Sequence, residues 1–318
     1  MNSTKDTFFL SLARVFSILW VILIQHNFAP YSSDWGWVIG GSYDLFNASF
    51  RRFTSVFTPL SMPIVFCVAG FLFKYKHEEE GEFLPFIMKK IRRLLIPCYV
   101  LGVLFALLKD HSLSIKVLYG YAHLWFIFDL FVIFFITKFV YCFFPNISVV
   151  IHCLIIICGM IVSVIMNTGY GLVSSYLFFT LGYVLCCLLD YLLRYTRLLL
   201  VVCIAGFVVK FLFRDCISGQ FLSTAYAVLM LYPCMCMFYV LSKYPFFKKP
   251  WFKFLNCYSY GLYLFHMFFL YMFYIYLNEY NSFLISNSCW ISTTIAISTI
   301  PMSIYVTYLV RKLGIRFI

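Results

Sequence analysis

The chain has 318 residues, of which 64% are hydrophobic and only 11% are charged. A typical soluble domain is roughly 45–50% apolar and about 25% charged. One soluble core could not bury this much apolar surface, so the composition indicates a polytopic membrane protein and excludes a soluble enzyme, a disordered chain and a small disulfide scaffold. The net charge of +12 would suit nucleic-acid binding, but Lys and Arg also collect in the cytoplasmic loops of membrane proteins.

Mostly apolar runs of about 20 residues, the length that a transmembrane helix needs, recur along the whole chain. They predict an all-α bundle of ten spans in a single transmembrane domain over residues 1–318, with no room for a separate soluble domain. The predicted spans are 8–30, 56–74, 90–108, 123–144, 147–166, 171–192, 198–213, 222–242, 257–278 and 289–310.

The basic residues predict the orientation of these spans. With the N-terminus inside, 18 of the 24 Lys and Arg residues fall on the inner side and 6 on the outer side. This asymmetry predicts that both termini are cytoplasmic, and it explains the net charge without a nucleic-acid partner. The 13 Cys residues lie mostly in apolar runs without metal-ligand spacing, so we expect packing residues and no metal site.

Ionisable residues inside predicted spans are functional candidates by default, because a charge in the bilayer is costly. In the first span, Arg14 and His26 are 12 positions apart, or about 18 Å along a helix axis. This spacing puts a cation near the cytosol and a possible base in the outer half of the membrane. Alternatively, Arg14 snorkels to the inner headgroups and His26 caps the outer end of the helix. The spacing alone leaves both interpretations open.

Five segments, the first span among them, carry motifs in a fixed order along the chain. They are LARVFSILWVILIQH (12–26), SMPIVFCVAGFLF (61–73), KKIRRLLIPCYV (89–100), AHLWFIFDLF (122–131) and YSYGLYLFH (258–266). Together they resemble the acyltransferase-3 family, integral membrane O-acyltransferases that modify surface glycans, and they follow that family's order. The resemblance covers nearly the whole chain. The length of the chain fits the members of this family that lack an extracytoplasmic esterase-like domain.

The resemblance implies a reaction and its substrates. The donor would be a cytosolic acyl-coenzyme A, most often acetyl-coenzyme A, and the acceptor a hydroxyl of an exported or lipid-linked polysaccharide at a bacterial plasma membrane. No tightly bound cofactor and no metal are implied. His26 would be the base or a transient acyl carrier, since a neutral imidazole can take the proton of a weakly nucleophilic alcohol. Arg14 would help to bind or orient the donor.

A second class of protein fits the same intramembrane residues. Buried His, Asp and Arg side chains also line the proton paths of transporters, so a transporter or flippase for a polysaccharide or a lipid-linked sugar is the rival interpretation. The chain shows no inverted repeat, which counts against a transporter. Transfer of label from a radioactive acyl donor to glycan would distinguish the two.

One departure from the family pattern concerns the first helix. The family places ten residues between the Arg and the His, whereas this chain has eleven, and Gln25 occupies the expected position. A separation of 11 residues turns about 1,100°, which leaves two side chains ~20° apart, but a separation of 12 leaves them ~120° apart. We expect one π-bulge between Arg14 and His26 to absorb the extra residue. Otherwise His26 reaches the site from a shifted angle, or its family role is lost.

A basic cluster opens the third predicted helix, at Lys89, Lys90, Arg92 and Arg93. It is predicted to bind the phosphates of the acyl-coenzyme A, because Arg binds phosphate through two hydrogen bonds and Lys as a point charge. The alternative is that these residues only set the orientation of the helix. The phosphate-binding interpretation predicts a raised donor KM on neutralisation, and the topological one predicts lost insertion.

The remaining candidates lie on two later helices. His123 and Trp125 are predicted on the acceptor side, with an interfacial aromatic belt as the alternative for this segment. Asp129 would either orient a His or pair with a Tyr hydroxyl. Tyr263 and His266 form an i,i+3 pair on one helix face, with an orienting role or a place in a polar network of the bundle. His152 matches no motif, and we expect it to serve packing.

Overall fold

The computed structural model describes residues 7–26, 48–76, 82–112, 115–144, 148–165, 171–213, 220–277 and 288–314. Within these ranges the chain is almost wholly helical and contains no strand, which confirms the all-α class. Seven helical segments of the described chain are long and apolar enough to cross a membrane. The protein is therefore a multi-pass helical membrane protein.

Eleven α-helices follow one another in these described ranges, and every predicted span overlaps at least one of them. They are α1 (Phe8–Trp20), α2 (Ala48–Lys76), α3 (Phe83–Lys90), α4 (Ile96–Asp110), α5 (Trp125–Phe143), α6 (Ser148–Ile165), α7 (Gly171–Arg194), α8 (Thr196–Leu212), α9 (Gln220–Leu241), α10 (Pro250–Leu277) and α11 (Ser288–Lys312). Helices α6, α8 and α10 are not among the seven described segments that are long and apolar enough to cross a membrane. The count of ten spans and the inward position of both termini stay predictions.

The chain divides into two compact units. The first unit holds Met1–Val65 and Leu192–Gly314, and the second holds Phe66–Tyr191 with Ile315–Ile318. The first unit therefore contains α1, the start of α2, the last three residues of α7 and α8 to α11, while the second contains the end of α2, α3 to α6 and the rest of α7. The single transmembrane domain over residues 1–318 stays a prediction.

In the first unit, α1 packs through aromatic rings against α9 and α10. The ring of Phe9 lies 5.8 Å from that of Tyr239, and the ring of Phe8 lies 5.2 Å from that of Phe252, measured between centroids. Helices α10 and α11 approach closely at Gly261, where an added Cβ would lie 2.1 Å from the hydroxyl oxygen of Thr307. Small residues at such positions let membrane helices come into contact, because lipid supplies no hydrophobic force between them.

In the second unit, α2 and α7 cross at two glycines. A Cβ added to Gly70 would lie 1.9 Å from the carbonyl oxygen of Phe179, and one added to Gly182 would lie 1.9 Å from that of Cys67. Each helix therefore contacts the backbone of the other directly. Next to this crossing, four phenyl rings pack together at centroid distances between 5.5 and 6.1 Å, and we call them the Phe cluster. Its members are Phe73, Phe86, Phe134 and Phe179.

Candidate active site

The first helix ends in a π-helical segment, Val21–His26, which continues α1 without a break. This segment lies between Arg14 and His26, where the count of residues predicts an insertion, so the expected π-bulge is confirmed. Such bulges occur often at functional sites. The sequence signal was the one extra residue relative to the family spacing.

Arg14 and His26 both contact α10. The Arg14 guanidinium nitrogen Nη2 donates to Oδ1 of Asn256 at 2.8 Å, and Nδ1 of His26 lies 2.7 Å from Nε2 of His266. Asn256 and His266 are ten residues apart, which is about 15 Å along an α-helix. Arg14 and His26 are twelve residues apart, and with one of these residues taken up by the bulge the remaining eleven span about 16.5 Å. Because the two lengths nearly match, Arg14 and His26 face the same neighbour. We call His26 and His266 the histidine pair.

The histidine pair is buried and planar. His26 is 3% exposed and His266 is 0% exposed. The two ring planes differ by 2°, and the centroid distance of 5.0 Å exceeds the nitrogen–nitrogen distance of 2.7 Å by about twice the radius of an imidazole ring. The rings therefore meet edge to edge in one plane, and the hydrogen bond follows the lone pair of the accepting nitrogen.

Backbone carbonyls decide which nitrogens of the pair carry hydrogen. Nδ1 of His266 lies 2.8 Å from the carbonyl oxygen of Tyr263 and 3.1 Å from that of Leu262. A carbonyl only accepts, so this Nδ1 carries the hydrogen, and Nε2 of neutral His266 carries the lone pair. Nδ1–H of His26 then donates to His266. The lone pair of His26 is left on its Nε2, the nitrogen that can take a proton.

Tyr263, the predicted partner of His266, is joined to it by a backbone contact and a ring contact. Its carbonyl oxygen accepts from His266, and its ring centroid lies 5.7 Å from that of His266. The i,i+3 spacing therefore joins the two residues as predicted, and the carbonyl at that spacing fixes the imidazole. The His26 ring is thus oriented by the His266 ring, which is itself oriented by a backbone carbonyl. The side chains of a catalytic triad orient one another in the same way.

His123 occupies a tight turn in the second unit. Gly120 and Ala122 have positive φ angles of 84° and 53°, and a Cβ on Gly120 would lie 2.6 Å from Cα of Trp125. The turn buries His123 completely and sets its ring 6.1 Å from that of Phe105. A non-glycine residue with positive φ is strained, and such strain collects at functional sites. The glycine two residues before Ala122 is the signal for this turn.

The side chain of Trp125 is exposed, whereas that of His123 is buried. Trp125 is 37% exposed, and its ring contacts that of Phe126. An exposed Trp at the start of an apolar helix is typical of an interfacial belt, whereas the buried His123 does not face the surface. The two predicted acceptor-side residues thus belong to one turn but to different environments.

Among the described residues, Asp129 contacts a partner of neither predicted type. Its Oδ2 accepts a hydrogen bond of 3.1 Å from the hydroxyl of Ser175 on α7, so its partner in the described part of the chain is a serine and not a His or a Tyr. The next residue, Tyr176, has its hydroxyl in a hydrogen bond with Nδ1 of His152. His152 therefore joins α6 to α7 through a polar contact, in addition to the packing that the sequence predicts.

A second π-helical segment, Ile91–Leu95, separates α3 from α4. Pro97 explains its position, because proline has no N–H to donate to the carbonyl of Arg93 and its ring would clash with that carbonyl in a regular helix. Arg92 and Arg93 therefore lie on irregular backbone, whereas Lys89 and Lys90 are the last two residues of α3. The proline four residues after Arg93 was the available sequence signal.

The four residues of the basic cluster do not converge on one point. Three of them have exposed side chains: Lys89, Arg92 and Arg93. Lys90 turns inward, with its Nζ 3.7 Å from the ring centroid of Phe134 and 5.1 Å from that of Phe86. The cluster therefore presents three cations to the surface and one to the Phe cluster.

The first unit thus combines apolar helices with a buried, oriented imidazole pair and with Arg14, which lies on the same face of the first helix as His26. Within the described residues, no group of three or more His, Cys, Asp or Glu side chains comes together as a metal site. This arrangement defines a helical membrane protein with a buried, hydrogen-bonded histidine pair in its first unit. The acyltransferase-3 family, described as an acyltransferase domain, matches residues 8–312. The chain belongs to this family and is a membrane acyltransferase. Comparisons with curated proteins and with solved structures gave no match.

Proposed function

We propose that the protein transfers an acyl group, acetyl in the first instance, from cytosolic acyl-coenzyme A to a hydroxyl of an exported or lipid-linked polysaccharide at a bacterial plasma membrane. The observation that carries this proposal is the histidine pair. It provides a buried imidazole whose hydrogen bonds leave the lone pair on Nε2 of His26. Such a nitrogen is the group that an alcohol nucleophile needs at neutral pH.

The transfer step follows from this tautomer. Nε2 of His26 takes the proton of the acceptor hydroxyl while the hydroxyl oxygen attacks the thioester carbonyl carbon. The new C–O bond forms, the C–S bond breaks, and the leaving thiolate takes the proton back from His26. In between, His266 stabilises the imidazolium by accepting from Nδ1–H, and its own Nδ1–H is held by two carbonyls. If transfer runs through an acyl-enzyme, the same Nε2 is the atom that carries the acyl group.

The basic residues would hold the donor. Asn256 fixes the Arg14 guanidinium on the helix face that also bears His26, about 16.5 Å away along the axis. The arginine would therefore act on a part of the donor nearer to the cytosol than the thioester. The exposed Lys89, Arg92 and Arg93 would bind the phosphates, which accept charge-assisted hydrogen bonds from Arg and Lys.

The test is transfer of label from a radioactive acyl donor. Membranes containing the protein are incubated with acetyl-coenzyme A labelled in the acetyl group, and the label and ester content of surface polysaccharide are measured by scintillation counting and mass spectrometry. We expect ester label in polysaccharide only when the protein is present. Polysaccharide export that fails without any loss of acylation would contradict the proposal and favour a transporter.

Variants of His266 test whether it positions His26. His266→Leu removes the acceptor for Nδ1–H of His26, and we expect kcat to fall by about 10²-fold or more, because the imidazole loses its tautomer and direction. His266→Gln keeps an accepting oxygen and should recover at least about tenfold of this loss. KM for the donor should not change in either variant. Equal activity of the two variants would mean that His266 only fills space.

A further inference from the structure

A serine on α11 is buried, and its hydroxyl is not bonded to the helix. Ser303 is 0% exposed, and its Oγ forms no hydrogen bond with any residue that the structure describes. Thr299 and Thr307, four residues to either side, are equally buried. Their hydroxyls donate to carbonyls of the preceding turn of α11 at 2.8 and 2.6 Å, which is how Ser and Thr often satisfy a hydroxyl inside a helix. Because an unsatisfied hydroxyl is costly away from water, a ligand that accepts from Ser303 would be stabilised here.

Two contacts between α10 and α11 fix the register of these helices. Nη2 of Arg311 donates to the carbonyl oxygen of Cys257 at 2.9 Å. Gly261 comes four residues later on α10, and a Cβ added to it would lie 2.1 Å from the hydroxyl oxygen of Thr307, which comes four residues earlier on α11. The two helices are therefore antiparallel, and a step of four residues along one matches a step of four residues back along the other.

This register places Ser303 at the level of the histidine pair. One further step of four residues brings Ser303 opposite Phe265, the residue next to His266. Ser303 and Thr307 share a helix face because they are four residues apart, and this face is the one that meets α10. Helix α11 also packs against the π-helical segment that ends at His26. The buried hydroxyl therefore lies on the helix that borders both members of the histidine pair.

The transfer step creates a charge that the histidine pair does not stabilise. Negative charge develops on the carbonyl oxygen of the thioester as the acceptor oxygen attacks. Nδ1–H of His26 is engaged with His266, and Nδ1–H of His266 is engaged with backbone carbonyls. A hydrogen-bond donor held at such an oxygen is usually the largest single contribution to catalysis of acyl transfer. A hydroxyl suits this buried position, because burying a charged donor would be costly.

We propose that Ser303 is a catalytic residue whose hydroxyl donates a hydrogen bond to the carbonyl oxygen of the acyl thioester. This inference rests on the proposed function. The hydroxyl stabilises the negative charge while the C–O bond forms, and the charge leaves with the thiolate when the C–S bond breaks. Ser303 therefore keeps its proton and forms no covalent bond. The site then combines a base, His26, with a donor for the oxyanion.

The kinetic test removes this hydroxyl from the purified full-length protein. In Ser303→Ala, we expect kcat with acetyl-coenzyme A to fall by about 10²-fold, as loss of one oxyanion donor predicts, while KM for the donor changes little. Thr299→Val is the matched control, because it removes a buried hydroxyl that donates to the carbonyl of Ala296 on the same helix, and kcat should not change. An unchanged kcat in Ser303→Ala, or an equal loss in both variants, would overturn the role of Ser303.

A binding measurement keeps this inference separate from the proposed function. Two unreactive ligands are titrated in phosphatidylcholine nanodiscs: the amide analogue of acetyl-coenzyme A, in which NH replaces the sulfur, and S-ethyl-coenzyme A, which has no carbonyl on the sulfur. We expect Ser303→Ala to raise Kd for the amide analogue by about threefold or more, as loss of one hydrogen bond predicts, and to leave Kd for S-ethyl-coenzyme A unchanged. Equal changes for the two ligands would overturn the contact with the carbonyl. Failure of both ligands to bind the wild-type protein would overturn this inference together with the proposed donor, and the expected difference without any acyl transfer would contradict the proposed function alone.

Discussion

Replacing His26 by alanine should abolish acyl transfer while the protein stays inserted and folded. Alanine removes Nε2, and loss of a general base lowers a rate by about 10²- to 10⁴-fold. If His26 carries the acyl group instead, the loss is complete. The activity is measured as label transferred to polysaccharide per amount of protein in the membrane. Gel filtration and circular dichroism of the purified variant report on its folding.

The adjacent residue provides the matched control for this variant. Gln25 lies in the same π-helical segment and contacts the hydroxyl of Ser61 through Oε1 at 3.1 Å, outside the histidine pair. Gln25→Ala should therefore keep most of the activity. This control is informative because Gln25 occupies the position where the family pattern has its His. Loss of activity in Gln25→Ala together with normal activity in His26→Ala would show that the assignment of the base is wrong.

Replacing Gly182 by alanine should destabilise the protein by at least about 3 kcal/mol, at the upper end of what overpacking costs. The new Cβ would meet the carbonyl oxygen of Cys67 at 1.9 Å, and a backbone carbonyl cannot rotate away as a side chain can. Helices α2 and α7 would have to separate along their crossing. The thermal unfolding midpoint and the yield of monodisperse protein in detergent measure the effect, and Gly70→Ala should behave in the same way.

Helix α7 also contains the control for this substitution. Gly171 has no atom within 4 Å of the position where a Cβ would be added, so Gly171→Ala should leave the unfolding midpoint unchanged or raise it slightly, since alanine favours a helix. A midpoint for Gly182→Ala equal to that of Gly171→Ala would mean that the two helices do not contact through their backbones.

The sequence could predict those features of the fold that depend on spacing along a single helix. The apolar runs located the helices, and the extra residue between Arg14 and His26 located the π-helical segment, because both depend on the local period of the chain. The contact between His26 and His266 joins residues 240 positions apart, and no local period determines which helices become neighbours. The sequence therefore identified both histidines separately but could not predict that they form a pair.

The burial of single side chains was the least predictable property. Lys138 is one of the 18 basic residues that the sequence assigns to the inner side, yet its side chain is 2% exposed and lies against the ring of Phe86. Likewise, the complete burial of His123 depends on the positive φ angles of Gly120 and Ala122, which a resemblance of motifs does not specify. The burial of Lys138 and that of His123 both result from tertiary packing, which the type of the residue does not determine.

The contacts between α1 and α10 also constrain how often the chain crosses the membrane. Phe8 meets Phe252, Arg14 meets Asn256 and His26 meets His266, so the two helices run in the same direction. Two parallel spans of one chain must be separated by an odd number of crossings. Five of the described segments between them are long and apolar enough to cross, and α6 and α8 would make seven. With α10 taken as a span, the parallel packing predicts that α6 and α8 cross together or not at all, and the count of ten spans stays a prediction.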